Sequence, residues 1–223
     1  MTAQIWWMIR KDLLSEWRSR QAWPAMILLG IVVAVVFSMQ MDLPCEYKRQ
    51  MAASLLWVAI FLAAAIGLDR SFALDREDGC WQALRLYPVS PSSVYLAKLA
   101  VNIVWLAALQ GVLIPLFVVL ADVPLLSRFW AMVLVALLGN IGIASAGTLL
   151  SALATRVHKG TSLTVLLALP MAIPVVLAAA EATQLLTKDQ LDRSWWDWNA
   201  LLATFAAIFI VAGMVLMDFV AEE

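Results

Sequence analysis

Residues Leu99–Ala121 read LAVNIVWLAALQGVLIPLFVVLA, twenty-three positions without a charged side chain. At 1.5 Å per residue, a helix of this length reaches about 34 Å, enough to cross a hydrocarbon core of about 30 Å. Outward from this run lie five more charge-free stretches: Gln21–Met41, Gln50–Leu68, Phe129–Thr155, Gly160–Ala180 and Asn199–Met217. Each has 19 residues or more, and no other charge-free interval exceeds twelve. Six helical spans follow, since a helix satisfies its own backbone inside lipid. The period-2 alternation of a membrane β-barrel is missing. The expected fold is therefore an all-α integral membrane protein, with residues 1–223 forming one transmembrane domain.

Composition agrees. Hydrophobic residues make up 64% of the 223 positions and charged residues 14%, against roughly 45–50% and about 25% in an ordinary globular chain. A core this small cannot hide that much apolar surface from water. The net charge of −1 and the lack of a basic stripe exclude nucleic acid as a partner. The first twenty residues are too charged for a cleaved signal peptide, so the first span should be retained. Orientation follows from lysine and arginine. Arg10, Lys11, Arg18, Arg20, Arg70, Arg76, Arg85, Arg156 and Lys159 give nine on one side. Lys48, Arg49, Arg128, Lys188 and Arg193 give five on the other, and Lys98 can snorkel toward the nine. The positive-inside rule places both termini in the cytoplasm. Cys45 and Cys80 then fall on opposite sides and cannot pair.

Three segments lie outside the spans. In residues 1–21, Ile5, Ile9, Leu13 and Trp17 recur every four positions with Trp6 alongside, while Lys11, Ser15 and Arg18 face away. This pattern suits an interfacial helix, although a plain basic flank would also satisfy the orientation rule. Residues 69–93 are too long for a tight connection. Asp78-Gly79 reads as a break, Cys80–Leu86 as a short amphipathic helix and Tyr87-Pro88 as its stop, with Ser90-Pro91-Ser92-Ser93 supplying hydroxyls to cap the third span. Such a helix below the membrane could dock in a partner's groove, or the segment could be a solvated loop. The outer segment, 181–198, ends in Trp195-Trp196-Asp197-Trp198. Trp195, Trp196 and Trp198 fit an interfacial aromatic belt, or a flat aromatic surface for a porphyrin or a lipid headgroup. Pro170 and Pro174 in the fifth span mark a gate or a static kink, as does Pro115 in the third.

The chemistry that is missing narrows the class. No acid lies within the six runs, which disfavours a proton-coupled transporter. The single histidine, His158, sits between Arg156 and Lys159 and reads as a solvated residue. No metal-ligand spacing and no phosphate-binding G-x-x-x-x-G-K-[ST] occurs. No catalytic constellation can be assembled, so the chain is not expected to be an enzyme. Six spans with a docking-type loop and no internal energy source suggest a permease driven by a separate ATPase.

The order Asp75, Asp78-Gly79, Leu84, Pro88, then Leu96-Ala97-Lys98, resembles the CcmB family of ABC-2-type permeases. Trp57-Val58-Ala59 leading to Asp69-Arg70-Ser71-Phe72, and Leu169-Pro170-Met171-Ala172-Ile173-Pro174, are similar to that family's second-span and fifth-span elements. The likeness covers roughly Leu55 to Ala178. It departs at Cys80, Trp81 and Gln82, where the family usually has a small hydroxyl residue, leucine and glutamate. The resemblance implies a homodimeric permease of the bacterial inner membrane joined to a CcmA-like ATPase, with CcmC-like and CcmD-like membrane proteins and a CcmE-like haem chaperone nearby. It implies no covalently bound cofactor, haem as substrate and ATP on the partner subunit. Glu77, Asp78, Gly79, Trp81, Leu84 and Pro88 would then be the ATPase-coupling residues, Trp81 and Leu84 as apolar anchors. The rival expectations are an ABC-2 exporter for a lipid, drug or polysaccharide, and a non-transporting assembly scaffold.

Overall fold

A computed structural model describes residues 2–19, 22–39, 45–77, 90–121, 128–157, 162–188 and 190–222. Among these the chain is entirely helical, with seven helices: α1 (Thr2–Ser19), α2 (Ala22–Met39), α3 (Cys45–Glu77), α4 (Pro91–Ala121), α5 (Phe129–Val157), α6 (Ser162–Thr187) and α7 (Arg193–Glu222). Five contain stretches long and apolar enough to cross a membrane: Gln50–Leu68, Pro91–Leu120, Phe129–Leu153, Pro170–Thr187 and Arg193–Met217. A shorter apolar stretch, Pro24–Phe37, lies in α2.

Charge-free runs and helices do not end together. α3 carries on through Asp69 to Glu77, about 13 Å of helix past its apolar stretch. Residues 181–187 continue α6, and the tryptophan cluster forms the first turns of α7. Between them, Lys188 and Gln190 donate backbone N–H bonds to the carbonyls of Gln184 and Leu185, closing the end of α6. The start of α4 is built as its residues suggest. Pro91 takes the first helical position, where no N–H is needed. Ser90 accepts backbone bonds from Ser93 and Val94 at 2.9 and 3.4 Å, and the Ser90 and Ser93 hydroxyls meet at 2.6 Å.

α5 is the centre of the bundle and packs on α3, α4, α6 and α7. From Gly139 to Ala152 every residue is buried except half-buried Ile141. The stretch is rich in Gly, Ala, Ser and Thr, which let neighbouring backbones approach where lipid removes any hydrophobic force between helices. The Trp57 ring lies where a side chain on Gly139 would stand, and the Tyr95 ring does the same at Gly213 of α7. α2 packs on α3 and α4, and α1 packs on α4. Pro115, Pro170 and Pro174 all sit inside continuous helices.

Candidate functional site

The end of the bundle that holds the close of α3 and the start of α4 carries the linking segment, and the described residues there form a tied frame. Lys98, eight residues into α4, has its side chain buried at 7% exposure. A buried ammonium needs a compensating charge. It finds one in α1, where Asp12 Oδ2 stands 3.2 Å from Lys98 Nζ and Asp12 Oδ1 is 3.1 Å from Lys11 Nζ. Met8, Ile9 and Leu13 are half-buried on the same side of α1 as Asp12. Lys98 therefore has a carboxylate partner from α1, beyond the snorkelling its position in the sequence suggests.

Three further side chains of this end, Ser151, Tyr95 and Asn102, bond across helices. The Ser151 hydroxyl of α5 donates to the Leu68 carbonyl of α3 at 2.8 Å. Tyr95 Oη of α4 is 3.2 Å from both the Ser145 carbonyl of α5 and the Phe209 carbonyl of α7, so its one proton is shared between two helices. Asn102 Nδ2 donates to Thr148 Oγ1 at 2.8 Å, and that hydroxyl donates to the Ala144 carbonyl at 2.6 Å. A matching relay ties α3 to α6, where Trp57 Nε1 donates to Thr183 Oγ1 at 2.8 Å and Thr183 donates to the Ala179 carbonyl at 2.7 Å. Higher in the α4–α5 seam, Gln110 and Asn140 amides donate to the Ala136 and Ile103 carbonyls at 3.3 and 3.1 Å.

These polar residues within the spans are what sequence reading passed over. Asn102, Gln110, Asn140, Tyr95 and Ser151 have no motif spacing, and their partners are 26 to 114 positions away. The available signal was that uncharged polar side chains in a lipid span need internal partners.

Of the coupling residues, Glu77 closes the described part of α3, while Asp78, Gly79, Trp81, Leu84 and Pro88 lie outside the described residues, as do Cys80 and His158. Pro170 is exposed and Pro174 half-buried on α6. The three tryptophans of α7 have different surroundings. Trp195 is buried, Trp198 is half-buried, and Trp196 is 59% exposed and meets Trp195 edge to face at 4.9 Å. Trp195 Nε1 and Asn199 Oδ1 are buried without a hydrogen-bond partner among the described residues. Asn199 Nδ2 donates to the Trp195 carbonyl one turn back. Among the described residues no group of three His, Cys, Asp or Glu side chains could hold a metal ion. Short polar contacts thus join α4 to α1, α5 and α7, and α3 to α5, at this end of the bundle.

The family model described as CcmB protein matches residues 3–222. A Heme exporter protein B of Rhodobacter capsulatus is 33% identical over 136 residues, covering 61% of this chain and 62% of that protein. Its namesake in Bradyrhizobium diazoefficiens is 30% identical over 162 residues, 71% of this chain and 70% of the relative. The one in Pseudomonas aeruginosa is 26% identical over 200 residues, 85% and 86% respectively. The chain thus spans about three fifths of the length of the first of these relatives and more of the other two. With nearly all of its residues matched by the family model, the chain belongs to the CcmB family.

Proposed function

We propose that this CcmB-family chain is the membrane permease subunit of an ABC transporter complex that handles haem for c-type cytochrome maturation. Haem is its substrate, moved either by direct export or by ATP-driven release of a haem-loaded chaperone. The observation that carries the reading is the family match over residues 3–222, together with relatives named for haem export.

In this reading six helices cross the bacterial inner membrane. They are the five long apolar ones and α2, whose 18 residues reach about 27 Å. Both termini lie in the cytoplasm, and α1 lies along the inner interface. ATP is bound and hydrolysed on a separate CcmA-like chain, which receives the Glu77–Pro88 segment in a groove. Trp81 and Leu84 are the apolar anchors, Glu77 and Asp78 polar contacts, and Gly79 and Pro88 bound the element. Closure of the ATPase then moves the ends of α3 and α4. The Asp12–Lys98 pair, the Ser151–Leu68 bond and Tyr95 carry that movement into the bundle. The chain acts as a homodimer with CcmC-like, CcmD-like and CcmE-like partners.

The test is a pull-down of the tagged full-length chain from bacterial membranes, with mass spectrometry of what accompanies it and a haem absorbance scan. An ABC ATPase arriving with cytochrome-maturation proteins is the expected result. An ATPase without them points to an ABC-2 exporter of a lipid, drug or polysaccharide, and no ATPase at all overturns the reading. Aspartate at both Trp81 and Leu84 should release the ATPase while the chain stays inserted. Retained ATPase would remove the docking role of that segment.

A further inference from the structure

α1 presents two faces, and packing against α4 uses only one. Met8, Ile9, Asp12 and Leu13 are half-buried, with Asp12 held on Lys98. This ion pair fixes the rotation of the helix about its own axis and so decides what is left outside. At 3.6 residues per turn, Trp6, Arg10, Leu14 and Trp7 follow one another around an arc of about 100° on the free side. Trp6 is 65% exposed, Trp7 64% and Leu14 47%, and Arg10 is exposed too. Lys11 and Ser15, also exposed, continue the circuit as a polar flank.

The chemistry of this arc is specific. Two indoles and a leucine surround one guanidinium, which lies 5.6 Å from the centre of the Trp7 ring. Arg10 makes no ion pair with any described residue. A cation over an indole face is held by the ring without using up its N–H groups, and a guanidinium can take a phosphate in two parallel bonds. Tryptophan prefers the boundary between headgroups and acyl chains. Asp12 ties the arc to Lys98, eight residues into α4, so on the topology proposed above the arc lies at the inner edge of the hydrocarbon.

We propose that the Trp6–Arg10–Leu14–Trp7 face of α1 binds an anionic phospholipid of the inner leaflet. Arg10 takes the phosphodiester, and the indoles and Leu14 lie against the upper acyl chains. The occupant is a lipid rather than a protein because the apolar members flank the single cation on both sides along the arc. An anionic headgroup is favoured over a zwitterionic one because that cation has no carboxylate partner among the described residues. The site deepens the permease reading by giving α1, the helix clamped to the start of α4, a lipid that holds it in the interface.

The experiment uses the full-length chain purified with whatever ATPase accompanies it. It is incubated with equal amounts of phosphatidylglycerol and phosphatidylcholine, and native mass spectrometry counts each retained lipid. The wild-type chain should retain phosphatidylglycerol preferentially, and Arg10→Gln should lower that preference about fivefold. Arg10→Lys should keep most of it, and Trp7→Ala should lower retention of both lipids. A wild-type chain without preference, or a preference unchanged in Arg10→Gln, overturns the proposal. Loss of the ATPase from Arg10→Gln with lipid preference intact also overturns it and makes the face a protein-docking surface. Failure of the permease reading is visible separately, as a wild-type chain that brings no ATPase whatever its lipids.

Discussion

α5 and α7 have nearly the same length, 29 and 30 residues, and pack against each other. Their surroundings are opposite. Of the apolar stretch of α5, 67% is buried inside the protein, against 28% for that of α7, although the stretch in α7 is the more apolar. In water the more apolar helix would be the better buried one. Lipid reverses this, since hydrocarbon solvates Leu201, Ile208, Val211 and Val215 of α7 as well as a protein core does. What draws α5 inside is fit: the small residues from Gly139 to Ala152 and the hydrogen bonds made by Asn140, Ser145, Thr148 and Ser151.

The strongest way to break this contrast is to spoil the fit. Gly139→Leu drives a side chain into the Trp57 ring and should destabilise the bundle by about 3 kcal/mol, the upper range for overpacking. Thermal unfolding of the detergent-solubilised chain would measure it. Gly213→Leu tests whether the contrast belongs to helices or to faces. It lies on α7 but against Tyr95, so it should behave like the α5 variant. Ala207→Leu, on the exposed side of the same helix, should change stability by less than about 0.5 kcal/mol. Equal effects at Gly213 and Ala207 would show that the inward face of α7 is no better packed than its outer one.

The next effect is smaller and concerns the relays. Trp57→Phe keeps most of the ring volume and removes the N–H that reaches Thr183, leaving that hydroxyl bonded only to Ala179. A loss of about 1 kcal/mol is expected, with a larger one if the ring shifts from Gly139. Thr183→Val combined with Trp57→Phe should cost less than the two single losses added, because both remove the Trp57–Thr183 bond.

Five of the six expected spans correspond to helices long and apolar enough to cross a membrane, legible because charge is expensive in lipid and the gaps between charges mark it. The run Gln21–Met41 holds only the shorter apolar stretch Pro24–Phe37. The Ser90-Pro91 start of α4 was legible too, since capping is local. Faces were not. Leu106 and Val112 of α4 are equally apolar, yet one is buried and the other exposed, and hydropathy cannot separate them. Nor could spacing pair Trp57 with Thr183, 126 positions on, when the same threonine also satisfies itself on its own helix. The place of Lys98 near the start of a span is readable from the sequence; its partner is not, because Asp12 belongs to a helix whose position against the bundle no local pattern encodes.

The finest test of the contrast compares two threonines that are alike within their own helices. Thr148 of α5 and Thr204 of α7 each donate a hydroxyl proton to the carbonyl four residues back, at 2.6 and 2.8 Å. Only Thr148 also accepts a bond from another helix, that of Asn102. Valine at either site removes the same local bond and keeps the shape. The difference between Thr148→Val and Thr204→Val therefore isolates the cross-helix bond together with the orphaned Asn102 amide. It should come to about 0.6–1.7 kcal/mol, the range for hydrogen bonds between membrane helices. Thr204→Val alone should be close to neutral, because its hydroxyl faces outward and lipid does not penalise a methyl there. If the two variants proved equal, small residues alone would account for the burial of α5, and its polar side chains would be tolerated rather than needed.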